Sequence, residues 1–422
     1  MTHRCQNPQV QRDPSTLRGP FTPTPRRPRP DFPCPVGTRR GGCRAGVRVA
    51  WASVAAAVLT AMLLVILPAG RARAAAPSDE AAKARRDAMA KGAAFLEASQ
   101  QEDGRWGMGR GDVGITALCA DALVSAGRTA KDPAVARALA FVAKAQHPDG
   151  SICDTPPQIK VYSTSIALTA LTNAGAKADA PAIKKATAFL LKAQGGASGR
   201  LSEDDPAYGG LGYNGAQRGA DLSNTHFFAQ ALHDAGVPLN HPAWKRLQVF
   251  LSRCQNRSES NDGLFPSTDD GGAIYTPMRG GRSSAGTVDL PDGRQAPRSY
   301  GSMTYALYMD FGLAHVAPDD PRVQAAWDWI RKNWTFEENP GSGQAGLYYY
   351  HMVAAKALSV RGKNPVEDAR GRKHDWKTEL TGAIVRRQRE DGSWVNPRDR
   401  WFEGYPPVPT AYCLIALSAC GE

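Results

Sequence analysis

Apolar residues recur at helical spacing through the chain beyond about residue 77, and the pattern alternates between two kinds of segment. The first kind is amphipathic and ends the same way six times: "KGAAFLEASQ" (91–100), "RALAFVAKAQ" (137–146), "KATAFLLKAQ" (185–194), "RLQVFLSRCQ" (246–255), "AAWDWIRKNW" (325–334) and "LTGAIVRRQ" (380–388). An aromatic–aliphatic pair holds one offset from the end: Phe95/Leu96, Phe141/Val142, Phe189/Leu190, Phe250/Leu251 and Trp329/Ile330. The sixth copy keeps only Ile384, with Ala383 in the aromatic place. Lys and Arg fill the opposite face, as on a helix with one side in water.

The second kind is short, rich in Ala and low in charge. Its tails are "ALVSAG" (122–127), "ALTNAG" (170–175), "ALHDAG" (231–236), "ALYMDFG" (306–312), "ALSVRG" (357–362) and "ALSACG" (416–421). Each ends in Gly, the residue that most readily takes the left-handed conformation closing a helix. Small residues permit close packing, so this set belongs inside and the charged set outside. Six pairs stacked in an open row would expose apolar end faces, whereas a closed ring has none. The expected fold is therefore all-α, an α6/α6 toroid of six helical hairpins over 78–422, hollow at the N-terminal ends of the inner helices.

Three matching stretches join the sets: "QQEDGRWG" (100–107), "QHPDGSI" (146–152) and "QREDGSW" (388–394). They read as carpentry. Gln100 ends an outer helix, where its amide can pair backbone groups left over at the junction. Asp103-Gly104 supplies a tight turn, and Trp106 lays its ring over the loop while its N–H finds an acceptor. Gln146/Asp149/Gly150 and Gln388/Asp391/Gly392/Trp394 would do the same.

Charge changes the picture only at the front of the chain. Residues 1–76 hold 12 Lys/Arg and 2 Asp/Glu, net +10, out of the +12 of the whole. The body is nearly neutral, which argues against a nucleic-acid partner. Residues 1–49, rich in Pro, Arg and Gly without apolar period, read as a disordered basic leader. Residues 50–76 carry the uncharged run "VAAAVLTAMLLVILPAG" and then "GRARAAAP", with an A-x-A-like cleavage pattern. They read as a signal peptide or, left uncleaved, an N-terminal membrane anchor. The expected location is the periplasm or cell envelope, with anchoring in the inner membrane as the alternative. The body's five cysteines (Cys119, Cys153, Cys254, Cys413, Cys420) are odd in number and form no C-x-x-C pair, so burial is expected rather than a disulfide frame.

The pattern K-G-x-x-F-L-x-x-x-Q-x-x-x-G-x-W, complete at Lys91, Gly92, Phe95, Leu96, Gln100, Gly104 and Trp106, resembles the QW repeat of triterpene cyclases. With six helical pairs, the body resembles the terpenoid cyclase/prenyltransferase α/α-toroid superfamily, and most of all the exported squalene-cyclase-like repeat proteins of some bacteria. That resemblance implies a central pocket for a hydrophobic isoprenoid-type ligand. The acid motif of proton-initiated cyclases, D-x-D-D-T, has its nearest match at Asp221, Leu222, Ser223, Asn224 and Thr225. Ser223 and Asn224 replace the two inner carboxylates, and neither can donate a proton as a carboxylic acid does. The zinc set of prenyltransferase β subunits is represented by His351 alone, short of the three or four ligands zinc wants. The thioester signature "GCGEQ" is absent. No metal and no cofactor is expected.

Candidate residues lie at the inner-helix starts and in the long glycine-rich loops 195–220 and 256–299. Asp221, His226, His351 and Glu403 are the candidates for acid–base chemistry, Asp221 being equally a candidate helix cap. Asn224, Tyr213, Arg298, Tyr300, Tyr348 and Tyr405 are the candidate ligand-binding residues. Of Tyr348–Tyr350, at most one or two can face the hollow. Whether the protein is an enzyme stays open. Against an isoprenoid-handling protein stand a non-catalytic binding or scaffold protein of the cell envelope and a glycan-active α/α barrel, which would need two carboxylates about 5–10 Å apart.

Overall fold

The computed structural model describes residues 77–421 apart from 110 and 178–179. The basic leader 1–49 and the expected signal or anchor at 50–76 lie outside the described residues. Twelve α-helices alternate between two rings. The outer set is α1 (Pro77–Ser99), α3 (Pro133–Lys144), α5 (Pro181–Ala193), α7 (Pro242–Arg253), α9 (Pro321–Lys332) and α11 (Trp376–Val385). The inner set is α2 (Asp112–Ser125), α4 (Lys160–Asn173), α6 (Leu222–Asp234), α8 (Gly301–Leu313), α10 (Leu347–Arg361) and α12 (Pro407–Ala419). Each inner helix packs on the next, and α12 packs back on α2, so the ring is closed. The all-α toroid read from the repeats is the fold observed.

Burial follows the two patterns. Every residue of α2 from Asp112 to Leu123 is buried, because an inner helix has an inner neighbour on each side and outer helices behind it. The outer α3 buries Ala134, Val135, Ala138 and Val142, a single stripe. Among the described residues no helix is long and apolar enough to cross a membrane.

The turns between outer and inner helices are tied in one repeated way. Gln100 Nε2 donates to Gly104 O at 2.8 Å within its own turn and to Ala134 O at 2.9 Å in the first turn of the next outer helix. Gln146, Gln194 and Gln255 make the same two bonds onto α5, α7 and α9. Gln388 donates to Gly392 O and, at 2.9 Å, to Ala88 O of α1, closing the outer ring. The partner glycines, Gly104, Gly150, Gly209, Gly271 and Gly392, all have φ between +81° and +91°. A Cβ on Gly209 would stand 1.8 Å from Arg246 O, so neither the conformation nor the space admits another residue. In the fifth repeat Trp334 takes the glutamine's place and its Nε1 donates to Glu379 on α11.

Threonines complete the junction. Thr116, Thr164, Thr225, Thr304 and Thr410 accept, at 2.8–3.1 Å, the backbone N–H of Trp106, Ile152, Leu211, Ala273 and Trp394. Trp106 and Trp394 are fully buried and donate their indole N–H to Leu96 O and Ile384 O of the preceding outer helix, at 3.0 and 2.9 Å.

The closing glycines behave as expected in four of the inner helices, where Gly127, Gly175, Gly236 and Gly362 have positive φ. In α8 the helix runs past Gly312 to Leu313, and His315 takes the left-handed position instead. The loop 256–299 carries a small antiparallel hairpin, β1 (Thr287–Asp289) with β2 (Gln295–Pro297). A second hairpin, β3 (Val366–Glu367) with β4 (Lys373–His374), lies between α10 and α11.

Candidate functional site

The N-terminal ends of the inner helices are capped from outside, and that is what the long loops do. Asp154 Oδ1 accepts the Val113 N–H of α2, and Asn214 Oδ1 accepts the Lys160 N–H of α4. The Tyr275 carbonyl accepts the Leu222 N–H of α6 at 2.8 Å, and Asn339 Oδ1 accepts the Ser302 N–H of α8 at 2.9 Å. Glu403 Oε1 accepts the Tyr349 N–H of α10 at 2.8 Å. In each case the acceptor comes from the loop of the following repeat. The helix starts need such partners because their first N–H groups have none within the helix. By reaching over the hollow, the loops also roof it.

Under that roof lies a cavity of about 280 Å³. Six tyrosines line it, Tyr162, Tyr213, Tyr275, Tyr300, Tyr349 and Tyr412, together with Phe227, Met303, Ile159, Trp401, Phe402, Ser223, Ser302 and Glu403. The rings support one another. Phe227 stands edge-on to Tyr162 at 5.1 Å between centroids and 5.9 Å from Tyr349, which is 5.8 Å from Tyr412. At the rim Trp401 and Phe402 are both exposed and both hold positive φ, 56° and 65°. Non-glycine residues rarely adopt that conformation. Arg400 lies over the Trp401 ring at 4.3 Å.

Ser223, Ser302 and Glu403 break the aromatic wall, and Asp221 stands behind it against Tyr275. Ser223 Oγ and the Tyr349 hydroxyl are 3.2 Å apart, either able to donate. Asp221 caps α6 by accepting the Asn224 N–H at 2.8 Å and the Asn224 side-chain amide at 2.7 Å, and it also takes the Tyr275 hydroxyl. Burial pushes its carboxyl up to about 6 against those donors. Glu403 is fully buried, and burial pushes it up to about 7 although Asn396 Nδ2, at 2.6 Å, and the first N–H groups of α10 bind its oxygens. The phenols of Tyr162, Tyr349 and Tyr412 are pushed upward by burial and stay neutral. The wall can therefore offer ring faces, hydroxyl hydrogen bonds and one carboxyl. Among its lining residues there is no Lys or Arg to hold a diphosphate.

The expected residues divide. Tyr213, Tyr300 and Glu403 line the cavity, and Asp221 reaches it through Tyr275. Asn224 is buried against Asp221, off the wall. His226 is buried between α6 and α8, its Nδ1 2.8 Å from Asp310 Oδ1. His351 is buried with Nε2 2.8 Å from Phe336 O, and burial lowers its imidazole to about 4, so it stays neutral. Tyr348 packs outward, its hydroxyl 3.5 Å from Val395 O, and its neighbour Tyr349 faces the hollow instead. Tyr405 bonds Gly107, and Arg298 is exposed at the base of the β1–β2 hairpin with Nη2 3.3 Å from Thr287 O. The structure thus brings Asp221, Tyr213, Tyr300 and Glu403 together and leaves His226, His351, Arg298, Tyr348, Tyr405 and Asn224 off the wall.

Not foreseen as binding residues were Ser223, Phe227, Tyr275, Ser302, Met303, Tyr412 and the Trp401-Phe402 pair. One signal existed: Tyr162, Ser223 and Ser302 all stand two residues before the threonine of their helix. Among the described residues no group of three His, Cys, Asp or Glu side chains has the arrangement to hold a metal ion, and the five body cysteines are buried and unpaired.

The squalene-hopene cyclase C-terminal domain family matches residues 108–268. No curated protein matches the chain. Among solved structures, it is similar to a variant of the type II terpene cyclase MstE from Scytonema in complex with geranylgeranyl dihydroxybenzoate (substrate). That match has TM-score 0.53 and 16% identity, and covers 81% of this chain and 99% of that one. It is also similar to a variant of the same cyclase in complex with merosterolic acid A (product), at TM-score 0.51 and 17% identity with 81% and 99% covered. The likeness at this identity is one of fold: the chain is a terpenoid-cyclase-like α/α toroid.

Proposed function

With a terpenoid-cyclase-like toroid as the premise, we propose that this protein binds a hydrophobic isoprenoid-type molecule in its aromatic cavity and holds it without proton-initiated cyclisation. The observation that carries the reading is the cavity wall. It is built of aromatic rings, and Ser223 occupies the place where the family's acid motif has its central carboxylate. Variants of the similar cyclase are found in complex with geranylgeranyl dihydroxybenzoate (substrate) and with merosterolic acid A (product), which supports the ligand class. At about 280 Å³ the space lies just under the roughly 300–1,000 Å³ usual for small-molecule sites. A short isoprenoid, or one end of a longer chain passing between Tyr213, Trp401 and Phe402, suits it. Glu403 is committed elsewhere: its oxygens take Asn396 Nδ2 and the first N–H groups of α10, so it serves as a helix cap. The signal-or-anchor reading of residues 50–76 supports binding at the cell envelope, with the protein exported or held at the membrane.

The test is binding and turnover on one preparation. Geranylgeraniol and squalene should raise the melting temperature saturably. Phe227→Ala should weaken the binding about tenfold through the lost ring area, at nearly unchanged fold. Absence of any shift, with no lipid retained on purification, would sink the ligand class. A cyclised product from squalene would sink the non-catalytic reading.

A further inference from the structure

The ring has a second mouth, and it is built on different chemistry. At the C-terminal ends of the inner helices lies a cavity of about 320 Å³, walled by residues of all six inner helices and sharing no lining residue with the aromatic cavity. Six helices turn their carbonyl ends toward it, the negative end of each helix dipole.

Buried acceptors add to that field. Asp121 of α2, 5% exposed, stands in the wall and accepts Asn173 Nδ2 at 2.8 Å. Gln230 of α6, 8% exposed, is also in the wall. Its Nε2 donates to Asp234 Oδ1 at 2.6 Å, and its Oε1 is buried with no partner. Asp234 Oδ2 is likewise buried and unpartnered, and so is Asp310 Oδ2 behind it on α8. The positive or titratable groups facing these carboxylates are Lys356 of α10, His233, whose Nδ1 is 3.2 Å from Asp234 Oδ1, His226 on Asp310, and His315 at the rim. Burial raises the carboxyls of Asp121 and Asp310, Lys356 acts against that on both, and the acceptors of Gln230 and Asp234 stay unfilled. A buried acceptor without a donor costs free energy, and a charged N–H donor repays it best in a field of this sign. The rest of the wall is apolar, including Leu313, Ile415 and Val360, which is 58% exposed.

We propose that this mouth is a binding site for a primary alkylammonium. The ammonium donates to Gln230 Oε1 and the Asp121 carboxylate, and the alkyl chain lies along Leu313, Val360 and Ile415. The site is independent of the aromatic cavity and of what that cavity binds.

The probe is n-hexylammonium titrated into the full chain at neutral pH by calorimetry, with n-hexanol and hexanoate as controls. Saturable binding of one hexylammonium per chain is expected, with neither control binding. Asp121→Asn should weaken it about tenfold or more, and Lys356→Gln should tighten it. Phe227→Ala in the other cavity should leave it unchanged. Should Asp121→Asn fail to fold, Gln230→Leu and Lys356→Gln carry the same test. The proposal is overturned if the folded wild-type chain shows no saturable uptake, if hexanol binds as well as hexylammonium, or if Gln230→Leu and Lys356→Gln both leave the affinity unchanged.

Discussion

The turns that tie the outer ring and the wall of the aromatic cavity are a few residues apart in sequence and obey opposite rules. At the turns, five glutamines make the same two hydrogen bonds, five glycines take the same left-handed conformation, and five threonines accept the same backbone N–H. At the cavity wall no position is held constant around the ring. The place two before the threonine is Gly114, Tyr162, Ser223, Ser302 and Val408 in those repeats. A junction repeated around a ring meets one mechanical demand six times, so one solution serves. A ligand lacks sixfold symmetry, so the residues that face it must differ. In a closed repeat protein, what recurs holds the ring together and what departs from recurrence is where a ligand is met.

The comparison breaks most sharply if a turn residue matters to ligand and a wall residue to stability. The largest expected effect is at the tryptophans. Trp106→Ala or Trp394→Ala removes a fully buried ring and its N–H bond and should destabilise by about 3–5 kcal/mol. Denaturant unfolding would read this, and affinity for geranylgeraniol in the folded fraction should stay within about twofold. Selective loss of binding at unchanged stability would overturn the division.

Next come the glutamines. Gln255→Leu removes the bonds to Gly271 O and Arg322 O, at 2.9 and 2.8 Å, and should destabilise by about 1–3 kcal/mol because two carbonyls lose their donor. Gln388→Leu, which loses the bond from the sixth turn to α1, should behave alike despite lying across the closure of the ring. A much smaller effect there would mean that the closure contributes little to stability.

The smallest effect sharpens the wall. Burial raises Glu403 from its usual 4.5 to about 7, so the folded state holds that proton more tightly than the unfolded chain. Its contribution to stability is complete below about pH 4.5 and is lost as pH rises through about 7. Asp221, raised to about 6, acts in the same direction, and His351, lowered to about 4, in the opposite one. Glu403→Gln should therefore remove part of any fall in melting temperature between pH 5 and 7.5, read as the difference from the wild-type profile. An unchanged difference across that range would show that the raised value is not realised.

Much of the ring is legible in the sequence. The period of the outer helices, their common ending and the Ala-rich inner tails identify twelve helices and their closure, because each repeat is one supersecondary unit with one apolar face to bury. The role of Gln100, Gly104 and Trp106 followed from donor and acceptor arithmetic at a helix end. Two details escaped. The loops of repeats three and four read as holding candidate residues, and besides lending Tyr213 and Tyr275 to the wall each reaches over to cap the inner helix before it, as shorter loops do elsewhere in the ring. Also, Glu403 read as a candidate for acid–base chemistry, and its cap on α10 could not be seen from the sequence.

The sequence by itself determined the helices, their inner and outer assignment and the closed ring. These depend on residue type at fixed spacing, which is local information. Only the tertiary structure decided which side chains meet. It chose Tyr349 over Tyr348, set His226 against Asp310, turned His351 into the core and put Trp401 and Tyr213 in one cavity wall. Those outcomes hang on the rotation of each helix about its axis and on loops crossing from one repeat to the next. A rotation of one residue, about 100° for an α-helix, exchanges a wall position for a core position without changing the hydrophobic pattern that produces the ring.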